Sequence, residues 1–87
     1  MRKSAKTIRE ASEAFGRELA RQFPGVETQS TGPYGGFDNW IRVLVPAELW
    51  DRQEEITHAT IELSCHFSDE TGVDITNTVV EKEPVHG

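Results

Sequence analysis

Ile8, Ala11, Phe15, Leu19 and Phe23 recur three or four positions apart, and Arg9, Glu13, Arg17 and Arg21 fall between them. At about 3.6 residues per turn such a stripe lies on one side of a helix, so the pattern predicts an amphipathic first helix. Ser4 stands where a side chain can cap its first turn, and Pro24-Gly25 stops it. Arg17 and Arg21 suit the negative pole of the helix dipole. Gly16 and Ala20, one turn apart beside the stripe, leave room for another helix to come close.

The period then changes. Val26 to Thr31 alternates, with Val26, Thr28 and Ser30 on one side and Glu27 and Gln29 on the other, which predicts a strand. Residues 40–45, Trp-Ile-Arg-Val-Leu-Val, fill both faces with β-branched and aromatic side chains and end at Pro46, as a central strand does. Arg42 shares a face with Trp40 and Leu44, so its guanidinium is expected to reach the sheet edge or a carboxylate.

A second helix is predicted from near Asp51, where Asp-Arg-Gln-Glu offers a capping box, to Thr71-Gly72, with residues 47–50 adding a turn. Its stripe is Leu49, Ile56, Ala59, Thr60, Leu63 and Phe67; Trp50, Ile61 and Cys65 lie off it. Residues 73–80 read as the last strand, with Val73, Ile75 and Val79 on one face and Asp74, Thr76 and Thr78 on the other.

These elements predict a two-layer α+β domain of order α-β-β-α-β. A three-stranded mixed sheet with both helices on one face buries both stripes. The last two strands, joined through a helix, are expected to be parallel with a right-handed crossover. With 87 residues and seven aromatics, the chain is expected to form one domain with an ordered core over about 4–82 and a tail over 83–87.

Charge changes this picture at one end. Residues 1–23 carry six Arg and Lys against three Glu, whereas 24–87 carry three against twelve Asp and Glu, for a net −6. An acidic chain argues against general nucleic-acid binding, which needs clustered cations, although the basic first helix leaves RNA as a possible partner of that end. One cysteine closes no disulfide within the chain, and no apolar run has the length of a membrane span, so a cytoplasmic protein is expected.

Few residues carry candidate chemistry. His58, Glu62 and His66 are spaced four apart on the second helix, but three groups along one straight helix splay too widely to surround a metal ion alone. Cys65 and His66 point about a hundred degrees apart on a helix, so they form no nucleophile and base, and Cys65 is expected to be a partly buried, inert thiol. The glycines of Gly-Pro-Tyr-Gly-Gly, 32–36, suit an anion nest, yet no lysine or helix start follows them. A plain turn is therefore expected there, with Asp38 and Asn39 meeting local backbone donors. The sequence has no GxSxG, HExxH, paired CxxC, Walker A or GxGxxG motif.

From Ile8 to about Glu83 the layout resembles the minimal nucleotidyltransferase-like domains, on two stretches: GPYGGFDNWIRVLV, 32–45, and LSCHFSDETGVDITNTVV, 63–80. In that family a strand ends in Gly-Ser or Gly-Gly, and about ten residues later two carboxylates one residue apart hold two Mg²⁺ ions on a nucleotide triphosphate. Here Gly32 is followed by Pro33, Asp38 comes six residues later, and Trp40 stands two beyond Asp38. If Asn39 takes the first position, Ile41 takes the second, so the metal pair is missing either way. The resemblance thus implies a shortened member without catalytic residues or cofactor.

The leading expectation is a non-catalytic interaction module that contacts a protein partner or a second copy of itself. A sheet covered on one face leaves Trp40 or Ile41, whichever turns from the helices, with Trp50 and Ile61 as interface candidates. The alternative, from a different class, is a nucleotide-binding or Mg²⁺-dependent nucleotidyl-transferring enzyme, with the 32–38 turn, Gly32, Gly35 and Gly36 in it, around the phosphates and Asp38, with another carboxylate, on the metal.

Overall fold

The computed structural model describes residues 4–82, and the expected tail at 83–87 lies outside them. Helix α1, Ala5–Gln22, starts at Ser4, whose Oγ accepts the Thr7 amide at 3.1 Å. It ends where Phe23 donates its amide to Leu19 O at 2.8 Å and Gly25 takes φ +105°. Strands β1, Glu27–Tyr34, and β2, Phe37–Val45, form an antiparallel hairpin. A 3₁₀ turn over Ala47–Arg52 leads into α2, Gln53–Thr71, and β3, Ile75–Glu81, lies parallel to β2. The sheet order is β1-β2-β3, so the strand read as central is central.

Alternation along β2 decides which face the helices cover. Asn39, Ile41, Val43 and Val45 are buried, and Trp40, Arg42 and Leu44 on the other face are partly exposed. Phe15 and Leu19 of α1 and Ile56 and Thr60 of α2 pack onto the buried face, with Val26, Val73 and Ile75 closing the core. Each such apolar side chain contributes roughly 1.5–3 kcal/mol by leaving water. Phe15 and Phe67 join the two helices with ring centroids 6.3 Å apart.

Several local expectations are corrected. The glycine turn is shorter than 32–36: β1 continues through Gly32 and Pro33 to Tyr34, and Gly35-Gly36 alone make the turn, with Gly35 at φ +60°. Ladder pairing of Gly32 with Trp40 and Tyr34 with Phe37 carries the strand onward past two register shifts. No capping box forms at Asp51, because the 3₁₀ turn runs straight into α2 and its carbonyls meet the incoming amides, Gln53 N–H bonding to Trp50 O. Strand β3 starts at Ile75 rather than Val73, which is wholly buried in the connection. Of its two expected outlets Arg42 takes the sheet edge and not a carboxylate, donating from Nη1 to Gln29 Oε1 of β1 at 3.3 Å on the uncovered face. Cys65 is exposed, since it points away from the packed side of α2.

Gly16 admits a strand, not a helix. A Cβ built there collides with Thr28 Oγ1 of β1. Helix propensity alone favours Gly16→Ala by about 1 kcal/mol, whereas overpacking costs roughly 1–3 kcal/mol. Urea denaturation should therefore show Gly16→Ala destabilising by about 1 kcal/mol, and the sign should reverse in a Thr28→Ala background, where the obstructing hydroxyl is gone.

Candidate functional site

The first half of α1 stands off from the hairpin end of the sheet and leaves a cleft of about 490 Å³. Ile8, Ser12, Ser30, Gly32 and Ile41 are among its lining residues, with Pro33 and Asp38 at the hairpin end. Gly32 adopts φ +101°, a conformation natural to glycine, and lies within a stretch of shifted register.

Asn39 organises this end of the molecule. It is buried at 3% exposure in an otherwise apolar strand face, and each polar atom of its amide is used. Nδ2 donates to Ser12 Oγ at 2.7 Å and to Ser30 Oγ at 2.6 Å, while Oδ1 accepts the Gly32 amide at 3.0 Å. Ser12 in turn donates to Ile8 O at 2.7 Å, so one side chain ties α1, β1 and the irregular glycine together. An unpaired amide at that depth would cost a few kcal/mol, and pairing removes that cost.

Asp38 fastens the opposite side. Its Oδ2 accepts the Asp74 amide at 2.8 Å and its own amide donates to Asp74 O at 2.8 Å, which clips the start of β3 to β2. Ser68 Oγ donates to Asp74 Oδ1 at 2.8 Å and brings the end of α2 to the same point. Of the residues considered for a nucleotide and its metal, Gly32 and Asp38 border the cleft, while Gly35 and Gly36 sit exposed at the hairpin tip with open space around them. Among the described residues, the cleft's charged lining is Arg9, Glu13 and Asp38.

The interface candidates separate. Ile41 is 1% exposed in the core, which leaves Trp40 on the uncovered face. There Trp40 Nε1 donates to Thr78 Oγ1 at 3.0 Å and the ring meets Tyr34 at 5.2 Å between centroids. Trp50 is half-buried against the core from the 3₁₀ turn, and Ile61 is exposed on α2. His58 Nδ1 lies 3.9 Å from Glu62 Oε1 with both side chains in solvent, and His66 sits edge-on to Phe67 at 5.4 Å. Among the described residues no group of three or more His, Cys, Asp and Glu is placed to hold a metal.

One carboxyl is clearly perturbed, away from the cleft. The Arg21 guanidinium and then the Gln22 amide bond to Glu18 and hold it down to about 2, and the same contact raises Arg21. A carboxyl depressed in the folded chain adds stability above its ordinary value of 4.5 and loses it as pH falls toward 2. Because this pair is exposed its effect is small: Arg21→Ala should lower the melting temperature slightly at neutral pH and not at about pH 2, as thermal scans can check.

No protein-family model, no curated protein and no solved structure matches this chain. The expectation of local backbone donors holds for Asn39, which takes the Gly32 amide, and is corrected for Asp38, whose donor is the distant Asp74 amide; for the bonds from Asn39 to Ser12 and Ser30 the sequence signal is a polar residue in register with Ile41, Val43 and Val45. Asn39→Ala leaves Ser12, Ser30 and the Gly32 amide short of partners and should cost about 1–3 kcal/mol in urea denaturation, and Asn39→Asp, which cannot donate, should not restore the loss.

Proposed function

We propose that this chain is a small non-catalytic α+β interaction module that works through protein contacts in the cytoplasm. Its layout, on this reading, derives from a nucleotidyltransferase-like domain that lost its carboxylate pair. The observation that carries the reading is the uneven cover of the sheet. Both helices lie over one face, and the other presents Trp40, Leu44 and Val80, partly exposed, beside the exposed Tyr34. Trp40 is held in place by Thr78 and Tyr34, so little side-chain freedom remains to be lost when a partner covers it. Aromatic side chains fixed in this way are the usual anchors of protein interfaces.

The nucleotide reading draws on the cleft that Gly32 and Asp38 border. Its lining weighs against a triphosphate, because among the described residues the one cation there, Arg9, stands among Glu13 and Asp38. The RNA reading is weakened in the same way, since on α1 Lys6 lies 4.0 Å from Glu10 and Arg21 is paired with Glu18. Arg2 and Lys3 lie outside the described residues.

An amide NMR titration with ATP and Mg²⁺ should leave residues 30–45 unmoved. Saturable, Mg²⁺-dependent shifts confined there and abolished by Asp38→Ala would favour the enzyme instead. In capture from the source cell, a protein retained by the wild type should be lost from Trp40→Ala. A monomer at every concentration that retains no protein would count against the module.

A further inference from the structure

Strands β1 and β3 are the two edges of the sheet, and they are built differently. β1 carries Pro33 and two register shifts about Gly32, features that spoil an edge as a template for another strand. β3 has neither proline nor lysine, and it pairs with β2 in unbroken register from Ile75 to Glu81. Lys82 donates its amide to Val45 O at 2.7 Å, and Asp74 O accepts the amides of Asp38 and Asn39 at 2.8 and 3.3 Å. Backbone groups alternate along a strand, so the even-numbered residues bond to β2. Ile75, Asn77, Val79 and Glu81 then turn their N–H and C=O groups to the outer edge, with which no described strand pairs.

We infer that this edge binds the same edge of a second copy of the chain, antiparallel about a two-fold axis at Thr78. Thr78 is the midpoint of Ile75–Glu81, so that register pairs the whole strand. Ile75 faces Glu81 and Asn77 faces Val79, which places all the outward backbone groups in hydrogen-bonded pairs. Thr78 meets its own copy between them, and Thr76 meets Val80. The single charge of the strand, Glu81, meets an isoleucine and not another carboxylate.

Helix α2 supplies an independent reason for this partner. Ser68 bonds to Asp74 and Ser64 to Asn77, so α2 runs antiparallel to β3 along its length. Three residues back from Ser64 is about 4.5 Å of helix, a little more than one strand residue of about 3.3 Å, which sets Ile61 level with Thr78. Ile61 also lies about 60° farther round the helix than Ser64, away from the Leu63 and Phe67 stripe and toward the open edge. It is 55% exposed, an aliphatic side chain left in water beside the proposed axis. In the dimer it meets its own copy, while Thr57 falls opposite Cys65 and Glu54 opposite Ser68, with no like charges facing.

This goes beyond the contact reading of the uncovered face, because it assigns a second surface, the β3 edge with Ile61, and names what binds there. Sedimentation of the full chain over a range of concentrations should show a dimer. Ile61→Glu, which sets two carboxylates at the axis, should weaken it by roughly tenfold or more. Glu81→Pro, which removes an outward amide while sparing the bonds to β2, should weaken it as well, with circular dichroism confirming the fold of each variant. Tyr34→Ser, at the end of β1 and so across the sheet from β3, should leave the dimer intact. A monomer throughout overturns the inference. A dimer lost in Tyr34→Ser but kept in Ile61→Glu and Glu81→Pro also overturns it, and leaves the contact-module reading standing on the uncovered face.

Discussion

Every other feature of this molecule depends on the burial of alternate residues of β2 beneath two helices. Ile41, Val43 and Val45 are almost wholly shielded from solvent, and the side chains that shield them come from both α1 and α2. A domain of 87 residues has room for one such core, so little else holds it together. Where the strand is used in this way its opposite face is committed too: Trp40, Arg42 and Leu44 turn outward, and the sheet is left with one face and two edges in contact with solvent.

Asn39 shows how a polar residue can extend that core without weakening it. At the hairpin end the apolar side chains give out, and the amide replaces them with directional bonds to Ser12, Ser30 and Gly32. Because each bond reaches a different place in the chain, the amide fixes the spacing of α1, β1 and β2 where packing alone would leave it loose. Asp38, the next residue, does the equivalent for β3 through Asp74. Two adjacent side chains of β2 thus secure both of its neighbours, and the cleft that both line lies beside that bracing.

The two edges of the sheet are built differently. β1 is interrupted by Gly32 and Pro33, which disturb its pairing and its usefulness to another strand. β3 is regular, nearly uncharged and accompanied by an exposed isoleucine, a combination that a solitary domain normally avoids.

The sequence by itself determined the element order, the helical stripes, the Ser4 cap, the central strand and the two-layer α+β arrangement. Those depend on periods and stop signals that act within a few residues. It also left Trp40 or Ile41, with Trp50 and Ile61, as candidates for a contact surface, without choosing among them. Only the tertiary structure decided that Ile41 faces the helices and Trp40 does not, because a strand apolar on both faces carries no local record of which one is covered. The same holds for Gly16, whose close neighbour is Thr28 of a strand, and for Asn39, whose partners lie as far as 27 residues away. Such contacts join segments remote along the chain, and the chemistry of either segment alone does not specify the other.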